Sequence, residues 1–403
     1  MRTLSNTTSF WVSAAVVAHA LWTSAAPSIT YPLYAEQWGL TPTVTTAIFA
    51  VYPVALVVAL LLFGDLSDFI GRRKTLLLGL TASFIGVLLF ALAPSVGWVF
   101  VGRAFMGIGV ALSLSPGSAA MIEFSAPGQV KRASSIATAA TAVGLACAVL
   151  LGGALIQYAP FPTHLNFWVL LCVIATLFAA TWFLPRHTVN EARGRWKIRA
   201  PHAPASLRGV LAAAAVAVTA SYAIGALMLS LGAQIALQLI GSDNALVTGS
   251  VLALFAIVIG VVATVAKGIG AARAIVVGGG NTVASMALLV VSSTAHSLPL
   301  FLAAAVTAGA GYSLLFLGGL TMISENAPKH HRAGTLSIVY LVAYLMQGLI
   351  ALGLGITATG AGLQVAVDFG APFIAATGIA AIVIAVVVSR AAPHAPSPQV
   401  GHE

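Results

Sequence analysis

The densest group of charged side chains in the sequence lies in the stretch Gly64 to Lys74. It holds five of the chain's 18 basic and nine acidic residues, and ion pairing is the chemistry that such a group offers. The apolar segments 44–63 and 75–93 flank it, and each is long enough to cross a bilayer. The charges therefore lie in a short loop between two membrane helices, and the three cations predict that this loop is cytoplasmic.

A second charged residue, Arg103, lies inside the apolar segment 98–121. At 1.5 Å per residue it lies roughly 7 Å below the outer end of that helix. A charge at this depth costs on the order of 3 kcal/mol, so the side chain must face water or a polar partner unless it snorkels to the outer headgroups. His19 in the first apolar segment is the other titratable residue at membrane depth and is a candidate to carry protons. The alternative is that its imidazole only makes a hydrogen bond within the helix.

The charged loop resembles the signature loop between spans 2 and 3 of the major facilitator superfamily, Gly-x-Leu-(Ala/Ser)-Asp-x-x-Gly-(Arg/Lys)-(Arg/Lys). The matching positions are Gly64, Leu66, Ser67, Asp68, Gly71, Arg72 and Arg73. The resemblance implies that the loop gates the cytoplasmic side, with Arg72 paired to Glu123 and with Asp68 contacting the start of span 11. The alternative for the loop is that it is an ordinary cytoplasmic loop rich in cations. The alternative for Glu123 is that it is a solvated loop acid whose ion pairing contributes little.

Two further patterns resemble motifs of the same superfamily. Arg103-x-x-x-Gly-x-Gly resembles the span 4 motif of proton-coupled members, which implies that Arg103 takes part in proton coupling or binds acceptor groups of a substrate. The stretch 144–153 resembles an antiporter motif, but Ala148-Val149 replaces its central Gly-Pro, which weakens the case for antiport. We interpret the glycines of both patterns as points of close helix packing, namely Gly107, Gly109, Gly144, Gly152 and Gly153.

The composition independently predicts a polytopic membrane protein. The chain is 60% hydrophobic and only 7% charged, unlike soluble globular proteins. Its net charge of +9 does not indicate nucleic-acid binding, because the cations fall in alternate loops as the positive-inside pattern requires. This pattern places both termini in the cytoplasm. No enzyme motif or metal site emerges, and the two cysteines are too few for a disulfide framework.

The chain divides near its midpoint at a polar connector. We predict an N-terminal six-helix bundle at 1–184, a cytoplasmic connector at 185–208, a C-terminal six-helix bundle at 209–390 and a disordered cytoplasmic tail at 391–403. The two halves resemble repeats of one another, since Gly107 and Gly109 recur as Gly309 and Gly311. Together these features predict an all-helical protein of twelve spans in two pseudo-symmetric six-helix bundles, the major facilitator fold. Each span is predicted as one continuous segment, among them span 1 at about 10–34, span 7 at about 209–238 and span 11 at about 335–356.

Uncharged polar residues in the spans are candidates to line a central cavity, because amide and phenol groups in hydrocarbon need partners. Each of them alone is also compatible with an ordinary packing contact between helices. The candidates are Tyr31, Tyr34, Tyr52, Tyr222, Gln234, Tyr340, Tyr344 and Gln347.

These observations predict a secondary transporter in the cell membrane that works by alternating access. The favoured function is proton-coupled export of small amphipathic or drug-like organic compounds, as in the drug:proton antiporter branch that the motifs resemble. The alternatives are a uniporter or importer of a neutral or weakly anionic metabolite, and a non-transporting receptor or scaffold. We expect a monomer in the lipid bilayer with a small-molecule substrate, no nucleic-acid partner and no cofactor, and with the proton gradient as its energy source.

Overall fold

The computed structural model describes residues 3–185, 204 and 207–391, and all regular elements in these ranges are helices. Twelve of the helices are long and apolar enough to cross a membrane, which confirms the predicted fold class. Helices are the natural choice for these segments because a helix satisfies all of its own backbone hydrogen bonds in hydrocarbon. The predicted connector falls almost wholly outside the described residues, as does the predicted tail beyond Ala391.

The spans of the N-terminal half run in chain order, and a short helix Leu66–Ile70 lies between spans 2 and 3. Their bounds are Asn6–Trp38, Pro42–Phe63, Arg72–Ala91, Val96–Glu123, Val130–Tyr158 and Leu165–Trp182. The helices of the C-terminal half are Arg208–Ser230, Ala245–Val265, Ala271–Thr294, Leu298–Asn326, Lys329–Ala361 and Leu363–Ala391, and a short helix Gly232–Gln238 continues span 7.

Span 1 is broken near its C-terminal end, on the side that the positive-inside pattern predicts to be outer, and outer and inner are used below in this predicted sense. The helix Asn6–Ala25 stops at a short 3-10 turn, Ala26–Ile29, before the helix Tyr31–Trp38 resumes. Pro27 and Pro32 explain the break, because proline lacks the backbone N–H that a continuous helix requires. Span 7 breaks in a similar position, at Leu231, where the sequence had predicted one segment over 209–238.

The same packing pattern occurs in both halves. Span 1 packs against spans 4, 5 and 6, and span 7 packs correspondingly against spans 10, 11 and 12. Spans 2 and 3 pack against span 4 as spans 8 and 9 pack against span 10. The halves meet along two equivalent seams, span 2 against span 11 and span 5 against span 8.

The repeated glycines have equivalent neighbours. A Cβ on Gly107 would meet the carbonyl oxygen of Tyr52 on span 2, and one on Gly309 would meet that of Phe255 on span 8. A Cβ on Gly109 would likewise meet Ser83 on span 3, and one on Gly311 would meet Thr282 on span 9. The internal repeat of the sequence therefore corresponds to a repeat in helix packing.

Candidate functional site

Arg103 is completely buried in the outer half of span 4. Its Nη1 donates a hydrogen bond to the carbonyl oxygen of Ser24, at 2.9 Å, and its Nε donates to that of Ile48, at 3.4 Å. Ser24 lies in the last turn of the first helix of span 1, where carbonyl groups lack intrahelical partners. The break in span 1 therefore supplies an acceptor for the arginine, so the side chain faces protein rather than the outer headgroups.

Aromatic rings complete the surroundings of this guanidinium. Its central carbon lies 4.8 Å from the centre of the Tyr52 ring and 5.8 Å from that of Phe49, both within the range of cation–π attraction. In the described part of the chain the two ion pairs are both made by Arg72, so Arg103 has no carboxylate partner. Its Nη2 has no hydrogen-bond acceptor there, and a buried donor of this kind is a natural place for an acceptor group of a ligand.

Tyr31 and Tyr34 have different surroundings, although both are buried on span 1. Tyr31 lies close enough to Arg103 for an electrostatic interaction, and its hydroxyl has no hydrogen-bond partner among the described residues. Tyr34 donates to the carbonyl oxygen of Thr163 at 3.3 Å and stacks on Trp38 with ring centres 4.7 Å apart. Tyr31 is thus part of the arginine site, whereas Tyr34 ties span 1 to the outer loop before span 6.

His19 lies on span 1 five residues before Ser24 and is buried. Its Nδ1 lies 2.7 Å from the carbonyl oxygen of Val16, and since a carbonyl only accepts, this nitrogen is assigned the proton. Nε2 then carries a free lone pair, and no described group bonds to it. Nε2 is therefore the atom at which this imidazole can accept a hydrogen bond or a proton.

Four tyrosines and a phenylalanine from spans 7, 10 and 11 form a second cluster in the opposite half. The ring centre of Tyr222 lies 4.7 Å from that of Tyr344 and 6.0 Å from those of Tyr312 and Phe316. Tyr340 joins the cluster beside Phe316 and Tyr344. We call these five residues the tyrosine cluster.

Tyr52 connects the arginine to the tyrosine cluster across the seam between the halves. One side of it faces Arg103, and it lies close enough to Tyr312 and Tyr344 to interact with both. Gln347 is buried on span 11 and its Oε1 has no described partner. Gln234 Nε2 donates to Thr45 Oγ1 at 3.5 Å, also across the halves. Some of the residues predicted to line a cavity are thus brought together, namely Tyr52, Tyr222, Tyr340 and Tyr344, whereas Tyr34 and Gln234 have other partners. In this conformation most of the predicted residues are buried.

The signature loop forms a compact ion-pair group at the inner end of the N-terminal half. Arg72 Nε lies 3.0 Å from Glu123 Oε1, the pair that the resemblance implied, and Arg72 Nη1 lies 2.5 Å from Asp68 Oδ1. Arg72 also contacts Ser67 Oγ. Asp68 pairs with Arg72 because i and i+4 side chains share one face of the turn, and 45% of the Asp68 side chain is exposed. Its expected contact with the start of span 11 stays a prediction.

The other members of the loop have structural partners. Arg73 Nη1 donates to the carbonyl oxygen of Leu184 at 3.4 Å, and the guanidinium stacks over Trp182 at 5.5 Å. Gly71 has φ of 87°, a backbone conformation that side chains rarely adopt. A Cβ on Gly64 would meet the carbonyl oxygen of Leu60 at 2.5 Å. The loop is therefore held to the end of span 6 as well as to span 4.

The glycines of span 5 all lie at close helix contacts. A Cβ on Gly144 would meet the carbonyl group of Ala18 on span 1, and one on Gly152 would meet Ile29 at 2.9 Å. Gly153 faces the other half, since its Cβ would lie 2.5 Å from the carbonyl oxygen of Ala245 on span 8. The packing stripe thus also supports the seam between the two halves.

Polar contacts that the sequence analysis missed join the halves at their outer ends. Thr43 Oγ1 lies 2.8 Å from Thr359 Oγ1 and 3.2 Å from the carbonyl oxygen of Gly355, both within hydrogen-bond distance, and this links spans 2 and 11. On the other seam the backbone N–H of Ala245 donates to Gln157 Oε1 at 2.8 Å. We call these contacts the outer latch. Threonine and glutamine at helix ends carry no distinctive sequence signal, so only the fold reveals the latch.

Comparison with known proteins agrees with this architecture. The profile of the family described as Major Facilitator Superfamily matches residues 11–351. Puromycin resistance protein pur8 of Streptomyces alboniger is 31% identical over 133 residues, a match that spans 32% of this chain and only 26% of that protein.

Two solved structures have a similar fold at low sequence identity. One is a bacterial homolog of the human lysosomal transporter Spinster, in an inward-facing and unoccupied conformation, with a TM-score of 0.66, 13% identity and coverage of 96% of this chain and 95% of that one. The other is a mutant of the nucleoside transporter NupG, with a TM-score of 0.73, 11% identity and coverage of 94% and 99%. At these identities the likeness concerns the fold alone.

Proposed function

The chain belongs to the Major Facilitator Superfamily and is therefore a membrane transporter rather than an enzyme, and on this premise we propose that it exports small amphipathic or drug-like organic compounds in exchange for protons. The two halves would rock about the residues between Arg103 and the tyrosine cluster, alternately exposing them to either side of the membrane. We place the protein in the cell membrane as a monomer, with the halves at 1–184 and 209–390 and with both termini in the cytoplasm.

The observation that carries this proposal is the position of an unsatisfied guanidinium donor next to a group of aromatic rings. Arg103 Nη2 has no acceptor in the described part of the chain. Tyr52 lies between this arginine and the rings of Tyr222, Tyr312 and Tyr344. An acceptor group of a substrate suits the guanidinium, and a flat apolar portion suits the rings. Compounds with both features are amphipathic.

Proton exchange is assigned to His19 and Arg103. His19 has a free Nε2 lone pair inside the membrane, so it can take up a proton when its side of the site is wet and release it after the halves have moved. Burial of His19 favours its neutral imidazole in this conformation, and Arg103 would take part because its motif resembles that of proton-coupled members. The partial match to the puromycin resistance protein also favours export of an organic compound.

One observation favours the alternative of a uniporter or importer. The acids of the described spans lie near helix ends, with Glu36 and Asp368 towards the outer side and Glu123 and Glu325 towards the inner side. Proton-coupled carriers commonly use an acid at membrane depth, and a carrier without coupling needs none. Arg103 would then serve only as a ligand for a neutral or weakly anionic metabolite.

The deciding experiment uses proteoliposomes with an imposed pH gradient and a panel of lipophilic dyes and drugs that includes puromycin. We expect the substrate to trigger proton movement, and we expect Arg103→Ala to abolish it. Arg273→Ala, at an exposed cation at the start of span 9, is the matched control and should retain activity. Substrate movement that does not depend on the pH gradient would favour the uniporter. If no compound of the panel were transported, broad drug export would be overturned in favour of a dedicated metabolite carrier.

A further inference from the structure

A shallow groove of about 280 Å³ lies at the inner end of the N-terminal half. It lies where the start of span 1 meets the loop between spans 4 and 5, and its lining includes Phe10, Trp11, Phe124, Gln129 and Arg132. Neither the arginine site nor the ion-pair group of the signature loop contributes to this lining. The groove is thus a separate feature that the proposed transport function does not use.

One wall of the groove is aromatic and faces outward. Phe10 and Trp11 pack edge to face with ring centres 5.4 Å apart, and 53% of Trp11 is exposed. Val130, the first residue of span 5, is also exposed. Exposed tryptophan beside aliphatic surface at a helix end is typical of the boundary between lipid headgroups and hydrocarbon. The wall therefore lies where lipid glycerol and the first methylene groups would contact it.

The rest of the lining carries positive charge and unused donors. Arg132 Nη1 donates to Gln129 Oε1 at 3.1 Å, and this uses one of the five N–H groups of a guanidinium. Lys131 beside it is exposed, and the lining of the groove contains no acid. The helix Val130–Tyr158 begins here without a side-chain cap, so its first N–H groups and its dipole also favour an anion.

We propose that this groove binds the headgroup of an anionic phospholipid of the inner leaflet. The phosphate would accept hydrogen bonds from Arg132 and from the amides at the start of span 5, and the glycerol backbone would lie against Trp11 and Phe10. Charge complementarity, together with an outward aromatic wall at the end of the spans, favours a lipid as the ligand. The bound lipid would join the beginnings of spans 1 and 5.

The test measures the thermal stability of the delipidated full-length protein in detergent during titration with phosphatidylglycerol or phosphatidylcholine. We expect phosphatidylglycerol to raise Tm in a saturable way and phosphatidylcholine not to. Arg132→Gln should raise the half-saturating phosphatidylglycerol concentration about tenfold, the loss expected for one charge-assisted hydrogen bond. Trp11→Ala should also weaken the response, since it removes the aromatic wall.

Arg273→Gln removes an exposed cation outside the groove and should leave the response to phosphatidylglycerol unchanged. An equal loss in this control, or an equal response to both lipids, would overturn the proposal in favour of general surface adsorption. A further titration with soluble glycerol phosphate distinguishes a lipid from a free organic phosphate as the ligand. If it raised Tm to the same extent, the ligand would be a free organic phosphate and the assignment to a lipid would be wrong.

Discussion

The carbonyl oxygen of Ala245 lies 2.5 Å from the position that a Cβ atom would take on Gly153. The contact is reciprocal, because a Cβ on Gly249 would meet the carbonyl oxygen of Val149. Spans 5 and 8 therefore pass each other on backbone atoms, an approach that only glycine permits. Since these spans belong to opposite halves, any rocking of the halves must change this crossing.

We expect Gly153→Ala to destabilise this conformation by about 1–3 kcal/mol, the usual cost of overpacking, because the added methyl would meet a backbone carbonyl that cannot rotate away. Thermal unfolding in detergent measures the effect as a lower Tm. Gly280→Ala is the matched control, since its Cβ would have no neighbour within 4 Å. Its helix propensity should improve by about 1 kcal/mol. Equal Tm changes in the two variants would contradict the role of the crossing.

The outer latch predicts that a covalent bond between spans 2 and 11 stops transport. Thr43 Oγ1 and Thr359 Oγ1 are 2.8 Å apart, so cysteines at these positions can approach the distance of a disulfide with little movement. In a background that lacks Cys147 and Cys172, oxidation of the Thr43→Cys, Thr359→Cys pair should abolish substrate movement, and reduction should restore it. Each single cysteine variant is the control. Full transport by the oxidised pair would show that the latch does not open during the cycle.

The ion pair between Arg72 and Glu123 should be stronger than an ordinary surface pair. Only 13% of the Arg72 side chain and 14% of the Glu123 side chain are exposed, so solvent screens their attraction less than it screens that of an exposed pair. Exposed pairs typically contribute ~0.2–1 kcal/mol. A double-mutant cycle with Arg72→Gln and Glu123→Gln should give a coupling free energy of about 1–2 kcal/mol. Asp68→Asn, at the more exposed partner of Arg72, is the comparison and should couple less. Coupling near zero for both would show that the loop is held by other contacts.

The sequence predicted the fold well because its strongest signals are physical requirements of a membrane. Apolar segments of sufficient length, cations in alternate loops and the repeated Gly107 and Gly109 determine the number of spans and the symmetry. The helix ends were less accurate. The break at Pro27 lies inside a segment that had been treated as continuous, and the helix of span 11 begins at Lys329, six residues before its predicted start.

The candidate site could be predicted only in part. Arg103 could be identified because a charge at membrane depth is energetically costly and therefore needs a partner. Arg72 and Glu123 could be identified by the resemblance, and all three stand out as charged residues in an apolar chain. The partners of Arg103 were not predictable, since Ser24 and Ile48 contribute main-chain carbonyl oxygens that every residue possesses. Phe316 was missed, although its position four residues after Tyr312 places both on one helix face and would have pointed to it.

Replacing Arg103 by methionine should separate stability from transport. A buried charge without a carboxylate partner is costly, and an apolar side chain of similar length removes that cost. We therefore expect Arg103→Met to unfold at a Tm equal to or above that of the wild type and to transport nothing. Arg103→Lys retains the charge but not the planar donors, so it should transport poorly. A large drop in Tm for Arg103→Met would show that the hydrogen bonds to spans 1 and 2 are the main role of the arginine.

The tyrosine cluster should act through its rings more than through its hydroxyl groups. Tyr222 lies at its centre and contacts Tyr312, Tyr344 and Phe316 through the ring, so Tyr222→Phe preserves these contacts. We expect this variant to keep KM for a transported dye within about twofold, whereas Tyr222→Ala should raise KM at least about tenfold, because one aromatic contact contributes on the order of 0.5–1.5 kcal/mol and the vacated volume adds to the loss. Transport assays at several dye concentrations separate KM from the maximal rate, and Tm measured in parallel shows whether the alanine variant remains folded. If Tyr222→Phe were as impaired as Tyr222→Ala at unchanged Tm, the hydroxyl group would be the element that binds the substrate, and the site would select hydrogen-bonding compounds rather than aromatic ones.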